Sequence, residues 1–436
     1  LFPLHERLKH HDTVTKRRQL EDWQYLSDGH LEQIQRANAT TFFEDISLHN
    51  PFYRQLIDRL KIDCRDILSP SVYQTLPLLS KQTIKDNFDH FITDGAENVK
   101  VMSTSGSSGS PLKFGIGKAR FTHDIAAKGR ATRWWGVYIG DKEAVIWASD
   151  IELSGQSVAK KVRDTLFRSK LFPAQNLDRN GLIKLFHSLN AYQPRMIYGY
   201  PSILTLLAET AKEEGLTYQT GQLKVIFCTA EKLYEHQRSA IEEVFSAPVA
   251  NGYGSRDAGF IAHECQAKKL HISSEDIIVE IVDKSGSILP AGKSGEIVIT
   301  HLSTRDFPMV RYRTGDIGTL ATEPCGCGIN LPVLSDVVGR ANDLLLSTTG
   351  SRVHGAYIGN IIREAKGVIH FQLIQHTPVE FDLKLVLGEG QSIDEPSLQK
   401  KLIKTLGNQA NISIQQVKEI PAEANGKFKY IINKVV

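Results

Sequence analysis

Over roughly the first 95 residues, apolar positions recur every three or four residues on a polar background, which predicts a run of helices. Ser80 is placed to cap a helix over residues 81–91. From Val99 the period changes: Val99-Lys-Val-Met reads as a short strand, a Ser/Gly run follows, and Leu112-Lys-Phe-Gly-Ile resumes strand character. A helix from Thr122 to about Trp135 comes next, with Thr122 as its N-cap. Strands at 144–148, 195–198 and 223–228 then alternate with helices at 181–189, from Ser202 as its cap to before Gly215, and at 235–245. Such alternation predicts a parallel sheet covered by helices.

From about Ile277 the pattern becomes antiparallel β. Residues 277–282 and 296–301 alternate, with the turn signals Ser285-Gly286 and Ala291-Gly292 between them. After a junction lies a small α+β unit: a helix near 356–365, strands at 368–375 and 381–387, a helix at 397–406 and a strand at 412–420. The expected fold is α/β. Its large N-terminal domain, 1–338, holds mostly parallel, helix-covered sheet with a β-rich subdomain; a hinge follows at 339–345, then a small mobile α+β domain at 346–436.

Composition narrows the class. A chain of 436 residues is too long for one core. With 41% hydrophobic and 23% charged residues it is globular rather than disordered or fibrous. Lys plus Arg is 52 against 49 for Asp plus Glu, a net charge of +3, which argues against a nucleic-acid binder. No apolar run approaches the ~18 residues of a membrane span. The first residues, Leu1 to Arg7, carry no apolar signal core, and they open on Leu rather than Met, so the numbering can begin inside a longer chain. Five cysteines cannot be a disulfide framework in so long a chain; three of them, Cys265, Cys325 and Cys327, are spaced like metal ligands in a reducing compartment. A cytoplasmic enzyme is expected, acting on small molecules, with no nucleic-acid or membrane partner and with a homodimer as the assembly considered.

The sharpest local feature is Ser103-Thr-Ser-Gly-Ser-Ser-Gly-Ser-Pro-Leu-Lys113. Backbone N–H groups around Ser105, Gly106, Ser107, Ser108 and Gly109 can curl around phosphate oxygens, with the hydroxyls and Lys113 adding donors and charge. A flexible linker has the same composition, but a linker does not belong between two strand-like runs. The Gly-x-x-x-x-Gly-Lys-Ser/Thr loop is absent, as are the Gly-x-Ser-x-Gly elbow and the third glycine of a dinucleotide fingerprint.

Three further segments are weak one by one. Asn251-Gly-Tyr-Gly-Ser-Arg-Asp257 follows a short apolar strand; Gly252 and Gly254 let the backbone approach a flat ring on which Tyr253 can stack, and Asp257 can hold Mg²⁺. Alone, it reads as a Gly-rich surface turn. Tyr312-Arg-Thr-Gly-Asp316 ends a strand on a carboxylate able to accept two hydrogen bonds from a ribose diol, or on an ordinary turn Asp. Gly339-Arg-Ala-Asn-Asp343 sits at the junction, and Asn425-Gly-Lys427 in a late loop.

Taken together and in this order, these segments resemble the core motifs of the adenylate-forming superfamily: acyl–coenzyme A ligases, luciferase-like enzymes and peptide-synthetase adenylation domains. The resemblance covers about residues 70–436, and it is nearest the phenylacetate–coenzyme A ligase branch, which includes capsular-polysaccharide-type adenylating proteins. It implies ATP-dependent adenylation of a carboxylic acid of aryl or arylacetic type, with pyrophosphate release and thioester formation on coenzyme A. An amine or hydroxyl acceptor, release of the adenylate, or a non-catalytic nucleotide-binding protein are the competing readings. By resemblance, Lys427 and Arg340 would be catalytic. Ser103 and the Ser/Gly loop, Ser255 and the Tyr-Gly segment from Asn251, and Thr229, Ala230 and Glu231 would bind ATP. Asp316 would hold its ribose, Asp257 would hold Mg²⁺, and Asp343 would be the hinge. Trp134, Trp135, Tyr198 and Tyr200, with Trp147, fall where the family's acid pocket lies, and they read equally as core aromatics. The sequence departs from the family in having Asp257 where Glu is usual, Arg256 where Thr or Ser is common, and Lys429 where Arg is common.

Cys265-x5-His271 and Cys325-Gly-Cys327 can supply three thiolates and an imidazole, a closed structural Zn²⁺ set. His263 is the rival ligand to His271, and buried free cysteines are the competing reading.

Overall fold

A computed structural model describes residues 2–104, 112–147, 158–174, 179–219, 221–340, 344–350, 352–354, 358–359, 361–362, 365, 367–388, 390–421 and 429–435. The chain divides into two compact units, Leu1–Val337 and Val338–Val436.

The first unit opens with helices, of which Asp28–His49 is the longest. Phe42, Phe43 and Ile46 of that helix are fully buried against the sheet residues Ile277, Ile297 and Ile299. Each such side chain contributes about 1.5–3 kcal/mol through burial. Ser80 does cap the helix Lys81–Asp86, its hydroxyl accepting from Thr83 N, and a 3₁₀ turn Phe88–Phe91 completes the predicted span. Thr122 is not a cap. The helix runs Lys118–Arg133 and starts from Gly117. A Cβ at Gly117 would fall 1.6 Å from Asp306 Oδ2, so only glycine lets the chain turn from strand to helix there.

The parallel and antiparallel halves, which read as separate textures in the sequence, are one eleven-stranded sheet among the described residues. Glu143–Trp147, Ser169–Pro173, Met196–Gly199, Val225–Thr229 and Val249–Ser255 pair in parallel. Val249–Ser255 then pairs antiparallel with Gly259–Glu264, which continues into Leu270–Ile272. Val333–Arg340, Met309–Leu320, Ser294–His301 and Ile277–Val282 complete the antiparallel side. The helices Arg179–Tyr192, Pro201–Glu213 and Glu235–Phe245 bury Leu185, Leu189, Leu204, Leu207 and Ile241 against the parallel half. Ser202 is inside its helix rather than at the cap. Its backbone N–H is met by the Glu231 carboxylate at 3.1 Å.

In the second unit a sheet is ordered Asn411–Gln416, Glu380–Leu387, Val368–Gln375, Ile431–Asn433. The two central strands are antiparallel and each outer strand joins its neighbour in parallel. Leu398, Leu402 and Leu406, spaced four apart on the helix Glu395–Leu406, are buried against it. Half of the predicted helix near 356–365 lies outside the described residues; of the rest, 358, 359, 361 and 362 are helical. Among the described residues, no helix is long and apolar enough to cross a membrane.

Candidate functional site

Ligands of open α/β sheets sit beyond the carboxyl ends of parallel strands. At that end, Thr229 closes its strand with its hydroxyl donating to Gly252 O at 3.0 Å. Ala230 follows with φ of +68°, a strained value for a residue bearing a Cβ. Glu231 accepts from Ser202 N, as described above. Asn251 is fixed through its backbone: its N–H donates to Glu264 Oε2 at 2.6 Å. Glu264 is gripped in turn by Arg238 at 2.8 and 3.0 Å, with both side chains buried. Burial raises the Glu264 carboxyl above its usual range despite that guanidinium. No local pattern in the sequence points to this pair.

The hairpin from Val249–Ser255 into Gly259–Glu264 carries the Tyr-Gly segment. A Cβ on Gly254 would meet Gly259 O at 2.1 Å, so the two strands close only with glycine there. Tyr253 donates its hydroxyl to Asp316 Oδ2 at 3.0 Å, bringing two of the separately identified segments together. Burial and the Asp316 charge push the Tyr253 phenol well above its ordinary value, so it stays a donor. Asp257 is 6% exposed. Its Oδ1 accepts from Ser255 Oγ and its Oδ2 from Tyr312 Oη, both at 2.5 Å. Burial alone would raise this carboxyl; the two hydroxyls, with the Lys81 charge and a backbone hydrogen bond, more than offset it, so its pKa is lowered and the group is a carboxylate. Each oxygen keeps lone-pair capacity for a further partner.

The Ser/Gly loop is flanked by a hairpin. Lys100–Ser103 and Lys113–Ile116 pair antiparallel, with Ser103 opposite Lys113. Thr104 N donates to Leu112 O at 2.9 Å, and Leu112 N to Thr104 Oγ1 at 3.0 Å. Arg256, the residue that departs from the family pattern, donates from Nη1 to Ser103 O at 3.3 Å and ties the two segments. Ser105, Gly106, Ser107, Ser108, Gly109, Asp343 and Lys427 lie outside the described residues, and Arg340 ends the strand Val333–Arg340.

The aromatic residues divide. Trp147 lies 4.3 Å from Tyr200 and 6.0 Å from Tyr198, centroid to centroid, at the ends of neighbouring parallel strands. Lys128 stands 4.5 Å over the Tyr198 ring. Trp134 is placed elsewhere: its indole donates to Gln24 Oε1 at 2.8 Å and its ring meets His271 edge-on at 5.8 Å. Trp135 is buried and donates to Glu264 O at 3.0 Å. Both tryptophans make packing and hydrogen-bond contacts within the fold, the core-aromatic reading that the sequence left open beside a pocket.

Cys265, His271, Cys325 and Cys327 do converge, their ligand atoms all within 4.8 Å of one another. Cys265 Sγ is 3.8 Å from Cys325 Sγ, and Cys327 Sγ is 3.3 Å from His271 Nε2. His271 Nδ1 lies 2.9 Å from Leu331 O and so donates there. That hydrogen bond selects the tautomer whose Nε2 lone pair faces the three sulfurs, which suits a metal ligand. His263, across the strand pair from His271, stacks on Phe260 at 5.3 Å and does not join the four. A second cluster, His123, Asp124 and His301, does not suit a metal. Both Asp124 oxygens accept from Arg120 Nε, at 3.0 and 2.9 Å, and Ser303 N donates to His301 Nδ1, which puts that neutral ring's proton on Nε2.

Residues 171–304 match the AMP-binding enzyme family, and residues 345–434 match the CapK C-terminal domain. Protein CapK of Staphylococcus aureus is 25% identical over 421 residues, covering 93% of this chain and 90% of its own length. A phenylacetate–coenzyme A ligase of Thermus thermophilus is 24% identical over 355 residues, covering 78% and 77%. The crystal structure of a 2-hydroxyisobutyryl-CoA ligase, in the postadenylation state with an acyl-AMP, superposes with a TM-score of 0.77. It covers 94% of this chain and 90% of its own at 20% identity, a likeness of fold.

Proposed function

The chain belongs to the adenylate-forming superfamily, in the branch that holds CapK and the phenylacetate–coenzyme A ligases, and from that premise we propose that it is an AMP-forming acid–thiol ligase. A carboxylate oxygen attacks the α-phosphorus of ATP, the bond to the β-phosphate breaks, and acyl-AMP and pyrophosphate result. The coenzyme A thiol, its proton released to solvent, then attacks the acyl carbon and expels AMP. The observation that carries this reading is the meeting of Tyr253 with Asp316, and of Asp257 with Tyr312, at the carboxyl end of the parallel strands.

Both reactants of the first step are anionic, so the work of the site is charge stabilisation and positioning. Asp316 accepts from the ribose hydroxyls, and Tyr253 lies against the base. The Ser/Gly loop offers N–H groups to the β- and γ-phosphates, and Lys427 neutralises charge between the carboxylate and the α-phosphate as their bond forms. Asp257 holds Mg²⁺, which supplies further neutralisation of the phosphates when bound. Trp147, Tyr198 and Tyr200 favour a planar aryl or arylacetic acid. The four-ligand cluster holds one Zn²⁺ with no open position, a structural role. Cysteines that are all free suit a cytoplasmic setting, where thiols stay reduced.

The test is pyrophosphate release from ATP with a panel of aryl, arylacetic and aliphatic acids, with and without coenzyme A. Acid-dependent release and a coenzyme A thioester are expected. A product formed only with an amine or hydroxyl acceptor would replace the thiol step, and no acid-dependent release at all would leave nucleotide binding alone. Asp316→Ala should weaken ATP binding at least about tenfold, since a hydrogen bond to a charged acceptor is worth about 1.5–3 kcal/mol. Calorimetric titration with ATP checks this, and an unchanged affinity would remove Asp316 from the ribose.

A further inference from the structure

We propose that Arg120, paired with Asp124, is the positioning clamp that holds Asp257 in register with the helix leaving the Ser/Gly loop; this rests on the reading that Asp257 holds Mg²⁺. Asp257 sits in the turn 256–258, between the paired strand ends Ser255 and Gly259. A turn so short leaves backbone groups outside the ladder, and buried ones must find partners elsewhere. Arg120 supplies them. It is 3% exposed, and it donates from Nη1 to Asp257 O at 3.2 Å and from Nη2 to Arg256 O at 3.4 Å. Its Nε meets both oxygens of Asp124, one helical turn on, and Asp124 Oδ1 also accepts from Phe260 N at 3.4 Å. Guanidinium and carboxylate together therefore grip the turn at its entry and at its exit.

Gly259 makes room for this grip. Its φ is +92°, and a Cβ there would lie 2.8 to 3.0 Å from three guanidinium atoms of Arg120. The planar fork lies flat against the backbone, a geometry that a lysine ammonium cannot reproduce. On the other side of the turn, the hydroxyls of Ser255 and Tyr312 orient the Asp257 carboxylate itself. Arg120 stands at the third position of the helix Lys118–Arg133, which begins two residues after the strand that closes the Ser/Gly hairpin. One side chain thus fixes the carboxylate-bearing turn to the element that carries the phosphate-binding loop. Arg120 acts through Asp257 and touches no reacting atom.

The test is ATP–pyrophosphate exchange by the whole chain, with an acid that the wild type turns over, titrated with Mg²⁺. Arg120→Lys should raise the Mg²⁺ concentration for half-maximal exchange about 10- to 100-fold, the usual effect of losing a partner behind a metal ligand. Saturating Mg²⁺ should recover most of the rate, and the melting curve should stay close to wild type. Asp124→Asn keeps an acceptor for Phe260 and should shift the Mg²⁺ requirement in the same direction; it is read the same way, so poor folding of Arg120→Lys does not blunt the test. A wild-type Mg²⁺ requirement in a folded variant overturns the clamp, and so does a rate lost equally at every Mg²⁺ concentration. Asp257→Asn is the control for the underlying reading: if it leaves the Mg²⁺ requirement unchanged, the metal role of Asp257 falls and the clamp with it. If Asp257→Asn raises the requirement and the other two variants do not, the clamp alone falls.

Discussion

Lys427→Ala should lower acid-dependent ATP–pyrophosphate exchange by about 10²–10³-fold, the range found when one donor to a developing charge is removed. ATP affinity should stay near wild type. The reason for the split lies in when the cation is needed. Asp316, Tyr253 and the Ser/Gly loop would hold ribose, base and terminal phosphates before the reaction begins. The carboxylate and the α-phosphate repel one another most as their bond forms, and a cation placed there stabilises the transition state more than the bound substrates. Lys427 follows Asn425-Gly426 and precedes a well-anchored segment: Lys429 O accepts from Gln372 at 3.0 Å, and Leu373 N donates to Tyr430 O at 2.8 Å. Exchange kinetics and an equilibrium titration with ATP, run on the same preparation, separate the two effects. Near-wild-type exchange would deny Lys427 a catalytic role, and an equal loss in both measurements would make it a binding residue instead.

One tightly bound zinc per chain is expected from elemental analysis of protein purified without added metal. Cys325→Ser with Cys327→Ser should abolish it. A ligand that binds only the folded state at 1,000 times its Kd stabilises by about 4 kcal/mol, so removing zinc should lower the melting temperature on the order of 10 °C. The ligands come from three places: Cys265 after the strand Gly259–Glu264, His271 within Leu270–Ile272, and the loop bearing Cys325 and Cys327 before Val333–Arg340. Losing the ion would free that loop from the sheet, while Thr229, Tyr253 and Asp316, proposed to bind ATP, are held by hydrogen bonds elsewhere. Stability should therefore fall much further than pyrophosphate exchange measured well below the melting point. Protein that carries no zinc, or keeps it after the double substitution, would return the cysteines to the role of free thiols.

The sequence by itself determined many of the elements and singled out the segments proposed to carry the chemistry. Helix and strand periods placed Glu235–Phe245, Ile277–Val282 and Val368–Gln375 at their observed bounds, because those segments have one buried face and their spacing records it. The Ser/Gly run, the Tyr-Gly segment and Tyr-Arg-Thr-Gly-Asp were legible because close backbone approach demands glycine and phosphate or ribose demands particular donors and acceptors. The four metal-type ligands were legible because cysteine is scarce in this chain. Tertiary structure alone decided which of these residues meet. That Tyr253 reaches Asp316, 63 positions on, and that Tyr312 reaches Asp257, 55 positions back, depends on strand order, which no local period encodes. The same holds for Arg238 with Glu264, and for Trp134, whose aromatic character said nothing of the Gln24 and His271 it packs on. Arg120 and Asp124 stand between these cases. Their four-residue spacing marks an ion pair on a helix face. Only the fold brings the turn that carries Asp257 against it, because burying that turn leaves its backbone groups in need of this one side-chain pair.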